Sequence, residues 1–545
     1  MKTPAFIFAG ILAVASLASA IPNPAAVFCA KCGYRYEIRT DPQGGQYGVC
    51  VFPDGSECDE WAYFRKCNAS QTCGDCNCPW PCPKRIIYVD DDANGLNDGS
   101  SWLNAYNYLQ DALSDADSAT KPVEIRVAQG IYRPDEDTLH PDGTGDRTAT
   151  FQLINGVTIK GGYAGFGEAD PNARDTVLYQ AILSGDIGKP LNKIDNCYHI
   201  FYHPEGLNLD ETAILDGFTI TGGNANGDWP HYTGGGMCNY KNSPTVTNCA
   251  FSGNSANSGG GMYNYNQSSP NVNNCTFSEN SADLGGGIWN ADSSMATVEG
   301  CTFSENLAER SGGGMFTGGK PTIINCIFSG NSAGERGGGM YIACGTAMLT
   351  NCTFAGNLAQ NGKALGCERE VLGTGGNMQG INCILWDGGD EIFKQSGSKV
   401  DITYSDIQGV WPGEGNIDAD PCFAEPGYWD PNRTPDDAND DFWVNGDYHL
   451  KAQAGRWDAN EGRWMIDEVT SLCIDAGDPA SPVGLEPFPN GGIINMGAYG
   501  GTAEASKSYF GKPICETIVA GDINGDCIVD FKDLALMAFH WLEER

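Results

Sequence analysis

Positive charge is scarce in this 545-residue chain, in which 32 Lys and Arg stand against 69 Asp and Glu, for a formal net charge of -37. Nucleic acid and anionic lipid are both bound through a basic face, so the shortage of cations argues against either as a partner. The six His are scattered and have no metal-site spacing. No internal run of about 18 apolar residues occurs, so no internal membrane-spanning helix is predicted.

The N-terminus has the composition of a secretory signal peptide. Lys2 precedes an apolar run, and Ala18-Ser19-Ala20 supplies small residues for cleavage after Ala20. The alternative, an uncleaved anchor helix, fits less well because the apolar run is short. We therefore predict a signal peptide at residues 1–20 and a secreted protein without a transmembrane segment after cleavage.

Cysteines are concentrated just after this segment, where nine of the 23 lie between Cys29 and Cys82. An exported chain permits disulfides, and a short Cys-dense segment cannot bury much core, so a disulfide-rich domain is predicted over residues 21–83. A zinc cluster in the run Cys73–Cys82 is the alternative, although no His lies nearby. Residues 23–67, through the stretches 23–26, 45–56 and 58–62, resemble a small secreted bacterial domain that often carries the label hemolysin; the resemblance implies no activity.

A repeat dominates the middle of the chain. The pattern Asn-Cys-x-Phe recurs with cysteine steps of 26, 26, 25, 26 and 31 residues, and an Asn follows each Phe three positions later. A glycine triplet followed by Met or Ile repeats with the same period. The cysteines are Cys249, Cys275, Cys301, Cys326, Cys352 and Cys383, and the later Asn residues are Asn254, Asn280, Asn306, Asn331 and Asn357.

Such a period predicts a parallel β-solenoid with one coil per repeat of about 26 residues. Segments such as 245–251 alternate polar and apolar residues, which is typical of strands with one buried face. Cys and Phe, two positions apart, are expected inside the coil, with the thiols free and buried. Asn254 and its equivalents are expected in left-handed conformation at a bend, each amide pairing with the next.

The combination of Phe-x-x-Asn with Gly-Gly-x-Met or Gly-Gly-x-Ile resembles the repeats of the chlamydial polymorphic outer-membrane proteins. More broadly, residues 85–500 resemble right-handed parallel β-helix proteins of the pectin-lyase-like superfamily. This resemblance implies an all-β, right-handed parallel β-helix of a bacterial protein, placed outside the cell or on its outer surface. It does not imply one activity, because such coils host lyases, hydrolases, adhesins and tail spikes.

Both ends of the predicted β-helix, residues 84–505, have their own signals. An apolar stripe that includes Leu103 and Tyr106 predicts a capping helix over 101–116 before the regular repeats at 234–385. Residues 470–502 look like the closing segment of secreted bacterial β-helix proteins and are expected to end the coil. The acidic loop 90–99 has enough oxygens for Ca²⁺, or is a solvated turn.

The C-terminal segment 515–545 carries the clearest metal motif. Its oxygen ligands, spaced for calcium before a helix, are predicted to be Asp522, Asn524, Asp526, Ile528, Asp530 and Asp533. The segment resembles one half of a type I dockerin and so implies a cohesin-like partner. It departs from the family in having one loop and in placing Cys527 where glycine is common. An acidic loop without calcium is the alternative.

No catalytic residue is predicted. Arg310 and Arg336 precede successive glycine triplets, but matching carboxylates are few, and paired acids are absent from the regular repeats. Six of the 12 Trp lie in an acidic region and are candidates for stacking on sugar rings, unless they pack a non-repeating cap. They are Trp386, Trp411, Trp429, Trp443, Trp457 and Trp464.

Together these features predict a secreted, calcium-associated β-helix protein of the cell surface or extracellular matrix. Its predicted role is adhesion or binding of a polysaccharide or cell-surface glycan. The alternative is a carbohydrate-active enzyme, either a polysaccharide lyase or a glycoside hydrolase, that is tethered through its dockerin-like tail.

Overall fold

The computed structural model describes residues 35–40, 46–51, 57–59, 85–190, 192–291, 293–368, 375–432, 441–510, 531 and 534. The chain divides into two compact units, residues 1–85 with 120–122, and residues 86–119 with 123–545. Within the described ranges, no helix has the length and apolarity needed to cross a membrane.

The first unit contains a three-stranded antiparallel sheet formed by Arg35–Thr40, Gln46–Val51 and Glu57–Asp59. Cys50 is buried in its middle strand, is disulfide-bonded, and lies opposite Cys58 in the strand register. The other cysteines of the predicted Cys-rich domain lie outside the described residues, so a disulfide-rich domain stays a prediction.

The second unit is a parallel β-helix whose coils each contribute strands to stacked sheets. We name these sheets 1 to 4. Sheet 1 contains Arg85–Val89, Val123–Ala128, Val157–Tyr163, Ile214–Asp216, Thr245–Thr247, Asn271–Asn273, Thr297–Glu299, Thr322–Ile324, Thr346–Thr350, Asn377–Ile381 and Lys399–Thr403. Sheet 2 contains Gly130–Tyr132, Ala181–Ser184, Thr219–Thr221, Ala250–Ser252, Thr276–Ser278, Thr302–Ser304, Ile327–Ser329, Thr353–Ala355, Ile384–Trp386 and Asp406–Ile407.

The other two sheets complete the coil and are followed by hairpins. Sheet 3 contains Phe201–His203, Met237–Tyr240, Met262–Tyr265, Ile288–Asn290, Met315–Thr317, Met340–Ile342, Leu365–Cys367 and Ile392–Lys394. Sheet 4 contains Asn224–Ala225, Ser255–Ala256, Ser281–Leu284, Leu307–Ser311 and Ser332–Ala333. The antiparallel pairs after the coil are Phe423–Glu425 with Asp447–Leu450, Tyr428–Asp430 with Phe442–Val444, and Arg456–Asp458 with Arg463–Met465.

The phenylalanines of the repeat form a column inside the coils, as predicted. Phe251, Phe277, Phe303, Phe328 and Phe354 are fully buried and stand in register across parallel strands. Their successive ring centroids are 4.8, 5.0, 4.6 and 4.6 Å apart, and the rings stack with their planes nearly parallel. Since parallel strands stack at about 4.8 Å, like residues meet directly and bury each other's faces.

The repeat cysteines are free and buried, which confirms the prediction of thiols that act as small apolar side chains. Cys275 is representative, because its Sγ lies 3.3 Å from Asn273 O and 3.6 Å from Val246 O of the preceding coil. The thiols thereby satisfy weak hydrogen bonds without bridging between coils.

The asparagines after each Phe form a buried ladder of amides. Asn280 Nδ2 donates to Phe251 O at 2.8 Å and to Asn306 Oδ1 at 3.0 Å, and each neighbour repeats the pattern. The predicted amide pairing is confirmed, but the predicted left-handed backbone is wrong for these residues. The positive φ angles belong to the residue before each, such as Glu279 at 55°, and to the Asn of the Asn-Cys pair, such as Asn274 at 51°. The bend therefore comes before the ladder residue, whose own backbone turns its amide inward.

The N-terminal helix spans Leu109–Ser118 and begins later than predicted. It packs Leu109 and Leu113 on the main core. Leu103, expected on the helical stripe, is exposed. Tyr106 is held out of the helix because its N–H donates to Tyr88 O at 2.9 Å and its O accepts from Asp90 N at 2.8 Å. The backbone around Tyr106 therefore pairs with the strand that contains Tyr88, and residues 101–108 do not join the helix although their apolar residues have a helical spacing.

The closing segment contacts residues at the bends of the coils. Asn325 Nδ2 donates to Ala498 O and Gly500 O, both at 2.8 Å, and Gly497 N donates to Asn382 O at 2.8 Å. Trp411, which follows the last strand of sheet 2, packs against the main core. That the segment ends the coil stays a prediction.

Candidate functional site

One coil carries an enlarged connection between sheets 4 and 3. Residues 226–236 join the two sheets in this coil, whereas residues 257–261 do so in the next. The longer loop is closed on itself, since Gly227 N donates to His231 O at 2.8 Å and His231 N donates to Asp228 O at 2.6 Å. The loop projects the indole of Trp229, which is 53% exposed.

Trp229 is the outermost ring of an aromatic cluster. Its centroid lies 5.5 Å from that of Tyr232, 5.3 Å from Tyr240 and 6.3 Å from Tyr265, the last two in edge-to-face geometry. Tyr240 and Tyr265 occupy paired positions on adjacent coils, with centroids 5.0 Å apart. Tyr265 is 37% exposed, so the cluster offers aromatic surface on two successive coils.

Tyr240 brings an unpaired polar atom into this cluster. The residue is only 8% exposed, and its hydroxyl has no hydrogen-bond partner among the described residues. Burial raises the pKa of Tyr240, so the hydroxyl keeps its proton and remains a donor at neutral pH.

A groove of about 630 Å³ lies against Trp229 and Tyr232. Its floor combines strand residues from two coils, since Asn224 pairs in register with Ser255. Amide, hydroxyl and carboxyl groups converge on the aromatic surface. The described residues that line it are Asn224, Ala225, Asn226, Gly227, Asp228, Trp229, Tyr232, Ser255, Ala256 and Asn257.

Arg147 holds the rim of the groove in place. Its Nε donates to Asn196 O at 2.6 Å, and its Nη2 donates to Asn224 O at 3.1 Å and to Asn226 Oδ1 at 2.7 Å. The guanidinium also lies 4.1 Å from the ring centroid of Tyr198. These contacts engage Nε and Nη2 and position the Asn226 amide group at the opening of the groove.

Two histidines pack behind the loop. His199 Nε2 lies 3.2 Å from His231 Nδ1, and His199 Nδ1 lies 2.9 Å from Gly234 O. Burial lowers the pKa of His199 to about 4 and also lowers the pKa of His231. Both rings are therefore neutral at pH 7 and support the loop as aromatic packing groups.

The six tryptophans singled out from the sequence are not brought together. Trp429 and Trp443 form an edge-to-face pair at 5.5 Å, and Trp457 and Trp464 form another at 5.5 Å across a hairpin. Trp386 packs against a second core, and Trp411 against the main one.

Trp443 has a packing role in the cap. It is 5% exposed and lies on Gly330 and Gly356, where a Cβ would overlap its ring. Its neighbour Trp429 donates from Nε1 to Gly356 O at 2.8 Å. The pair thus attaches the tail hairpin to the coils, whereas a sugar-binding role for the six tryptophans stays a prediction.

The arginines considered for catalysis are engaged in ion pairs. Arg310 Nε lies 2.6 Å from Asp283 Oδ1, and Arg336 Nη1 lies 2.6 Å from Glu368 Oε2. Glu368 also accepts a hydrogen bond from Tyr341 Oη. These contacts join neighbouring coils on one ridge and occupy both guanidinium groups.

Of the two loops considered for calcium, residues 90–99 lie among the described residues and residues 522–533 largely do not. In the loop 90–99, Asn107 Nδ2 donates to Asp90 O, Asp91 O and Ala93 O at 3.1, 3.2 and 2.9 Å, so an amide holds the loop together. The dockerin-like ligands, Asp522 to Asp533, lie outside the described residues. Within the part of the chain that the structure describes, no group of three or more His, Cys, Asp or Glu is placed to hold a metal ion.

Comparison with known families assigns the coil. Residues 192–368 match the family model for the right-handed β-helix region, and the groove lies within this match. This part of the chain is therefore a right-handed parallel β-helix. Residues 20–67 match a second model, described as a domain of unknown function (DUF333).

Two individual proteins show further similarity. An uncharacterized protein of Archaeoglobus fulgidus is 35% identical over 65 residues, which are 12% of this chain and 30% of the relative. The alignment thus spans less than a third of that protein. The crystal structure of pectate lyase Pel9A is similar with a TM-score of 0.41 and 15% identity, over 76% of this chain and 96% of that one.

Sequence reasoning missed the residues of the groove because it sought a high density of tryptophan. The available signal was an interruption of the repeat: before the first glycine triplet, the segment 226–232 inserts Asn, Asp, Trp, His and Tyr into an otherwise regular coil. Insertions in solenoid repeats map to loops on one face and are often sites of binding.

Proposed function

We propose that this protein is a secreted β-helix protein that binds a polysaccharide or cell-surface glycan through the groove at residues 224–257. The observation that carries the proposal is the exposed ring of Trp229 beside a groove lined by amides, with Tyr265 exposed on the next coil. Signal-directed export and a calcium-loaded C-terminal loop that docks to a cohesin-like partner belong to the same proposal and rest on the sequence motifs.

The chemistry of the groove suits sugars. Aromatic faces pack against the C–H faces of pyranose rings, while Asn, Ser and Asp groups exchange hydrogen bonds with hydroxyls. A rigid scaffold also favours binding, since stacked coils fix the two exposed rings before the ligand arrives. Trp229 and Asn226 supply the stacking surface and the rim amide.

Binding has more support than catalysis. Glycoside hydrolysis by the common mechanism uses two carboxyl groups that flank the scissile bond. Among the described residues that line the groove, Asp228 is the one carboxylate. Arg147, the nearby guanidinium, is occupied by hydrogen bonds to the rim. The enzymatic alternative is therefore the weaker candidate for this groove.

The test is a binding screen of the full chain against a panel of immobilised polysaccharides, with Trp229→Ala beside the parent. We expect at least one polymer to be bound, and Trp229→Ala to weaken binding by about ten-fold or more, since stacking of a sugar on an indole is lost. Soluble products are measured in the same samples to detect cleavage.

Trp457→Ala is the matched control because it removes a partly buried tryptophan from the hairpin pair. Binding unchanged by Trp457→Ala and lost in Trp229→Ala supports the groove. Binding that depends on Trp457 alone places the site on the hairpin and refutes the proposal. Release of products from a bound polymer would favour the enzymatic alternative.

A further inference from the structure

We propose that the groove is specific for uncharged polysaccharides and rejects polyuronates and sulfated glycans. This inference rests on the proposed function and adds the chemical class of the ligand. It is carried by the charges around the groove and by the spacing of its aromatic rings.

Recognition of an acidic sugar requires a cation that is free to pair with it. Among the described lining residues, none is Lys or Arg, and Asp228 contributes a negative charge at an exposed position. A carboxylate or sulfate in the groove would therefore meet a like charge without a compensating partner, which disfavours binding.

Arg147 and His231 lie beside the rim, but neither is among the residues that line the groove. The Nε of Arg147 donates to Asn196 O, and its Nη2 donates to Asn224 O and Asn226 Oδ1. Its guanidinium packs on the ring of Tyr198. His231 is half-buried against His199, and burial keeps its pKa below the ordinary value, so it is neutral at pH 7. The net charge of -37 further repels polyanions at a distance.

The polar groups that line the groove suit hydroxyls. Asn226 and Asn257 are exposed there, and Ser255 lies on the strand that pairs with Asn224. The two exposed rings, Trp229 and Tyr265, come from successive coils, and their centroids lie 6.3 Å apart. Aromatic surface on two successive coils suits a polymer that lies along the coil axis and contacts both rings.

The experiment compares polymers that share a sugar configuration but differ in charge. The full chain is titrated onto immobilised methyl-esterified and de-esterified polygalacturonate, and onto hydroxyethyl-cellulose and carboxymethyl-cellulose, at low salt. We expect a neutral member of at least one pair to bind at least about ten-fold more tightly than its acidic counterpart, in a Trp229-dependent manner.

Salt and Asp228→Asn identify the cause of the rejection. Raising the salt to about 1 M shortens the screening length to about 3 Å. The ratio of the affinity for the neutral polymer to the affinity for the acidic polymer should then decrease. Asp228→Asn should narrow this ratio at low salt by tightening binding of the acidic member of each pair, because the like charge in the groove is removed. A ratio that neither change alters overturns the electrostatic inference.

The failures are distinguishable. Absence of Trp229-dependent binding to any polymer refutes the proposed function itself. Trp229-dependent binding that is equal or tighter for the acidic member of each pair leaves the glycan-binding function standing and overturns the inference about charge.

Discussion

His203 shows how one buried side chain depends on its protonation state. The Leu153 N–H donates to Nε2 at 3.1 Å, so the proton of the neutral ring is on Nδ1, which lies 2.7 Å from Asn239 Oδ1. Burial lowers the pKa of His203 to about 4. A second proton would face the Leu153 N–H, so the folded state resists protonation of this ring.

Acid should therefore destabilise the protein through this residue. The unfolded chain binds a proton near the ordinary His pKa of about 6.5, while the folded chain does so only near 4, so stability is lost as pH falls below about 6.5. With 1.36 kcal/mol for each pKa unit, the loss from His203 approaches about 3 kcal/mol near pH 4. Unfolding midpoints at pH 7 and pH 4.5 should differ less in His203→Gln than in the parent.

His140→Gln is the control for this measurement because His140 is an exposed histidine of the same unit. It should retain the pH dependence of the parent. An equal pH dependence in His203→Gln and the parent would contradict the assignment of a neutral, buried ring.

The amide ladder is the element that joins successive coils through buried side-chain hydrogen bonds. It runs from Asn254 through the following coils to Asn357 and ends on Asp387, whose Oδ1 accepts from Asn357 N at 2.6 Å and from Nδ2 at 2.9 Å. The last position only has to accept hydrogen bonds, which a carboxyl does as well as an amide. Burial and the neighbouring Glu391 raise the pKa of Asp387.

Asn306→Leu should break this ladder in its middle. Asn306 is 1% exposed, donates to Phe277 O and Asn331 Oδ1, and accepts from Asn280 N and Nδ2. Each buried group left without a partner costs about 1–3 kcal/mol, so we expect a loss of at least about 3 kcal/mol in urea unfolding. Asn361→Leu, the same change at an exposed position, should cost far less. Equal losses would contradict a structural role for the ladder.

At the scale of the whole molecule, the excess of acidic groups attracts cations. A net charge of -37 attracts divalent ions diffusely, but such binding is screened over about 8 Å at physiological salt. A loop that wraps a cation with several oxygens binds it specifically. Diffuse attraction and specific binding of a cation can therefore be distinguished by their stoichiometry and by their dependence on salt.

Calcium titration of the full chain at physiological salt should therefore reveal one specific site at residues 522–533. Calorimetry is expected to show binding in the parent and none in Asp522→Ala, which removes the first ligand of the loop. Asp92→Ala, in the acidic loop held by the Asn107 amide, should behave as the parent. Specific heat that persists in Asp522→Ala would refute the site.

The sequence by itself determined the coil. Its regularity made the strand pattern, the inward Phe and Cys, and the amide ladder predictable, because each repeat contacts its own copy one coil away and the same local choice is made every time. The glycine that begins each triplet belongs to this set: Gly285 adopts a φ of 65°, and a Cβ there would lie 2.5 Å from Ile288 O.

Only the tertiary structure decided where the sequence is not periodic. The helix start at Leu109, the closing segment beside the coils and the groove at Trp229 all depend on partners far apart in the chain, such as Arg147 with Asn226. A residue that contacts its own repeat is specified by that repeat. A residue that contacts a unique distant partner is specified by the folded chain alone, and the groove is built from residues of this second kind.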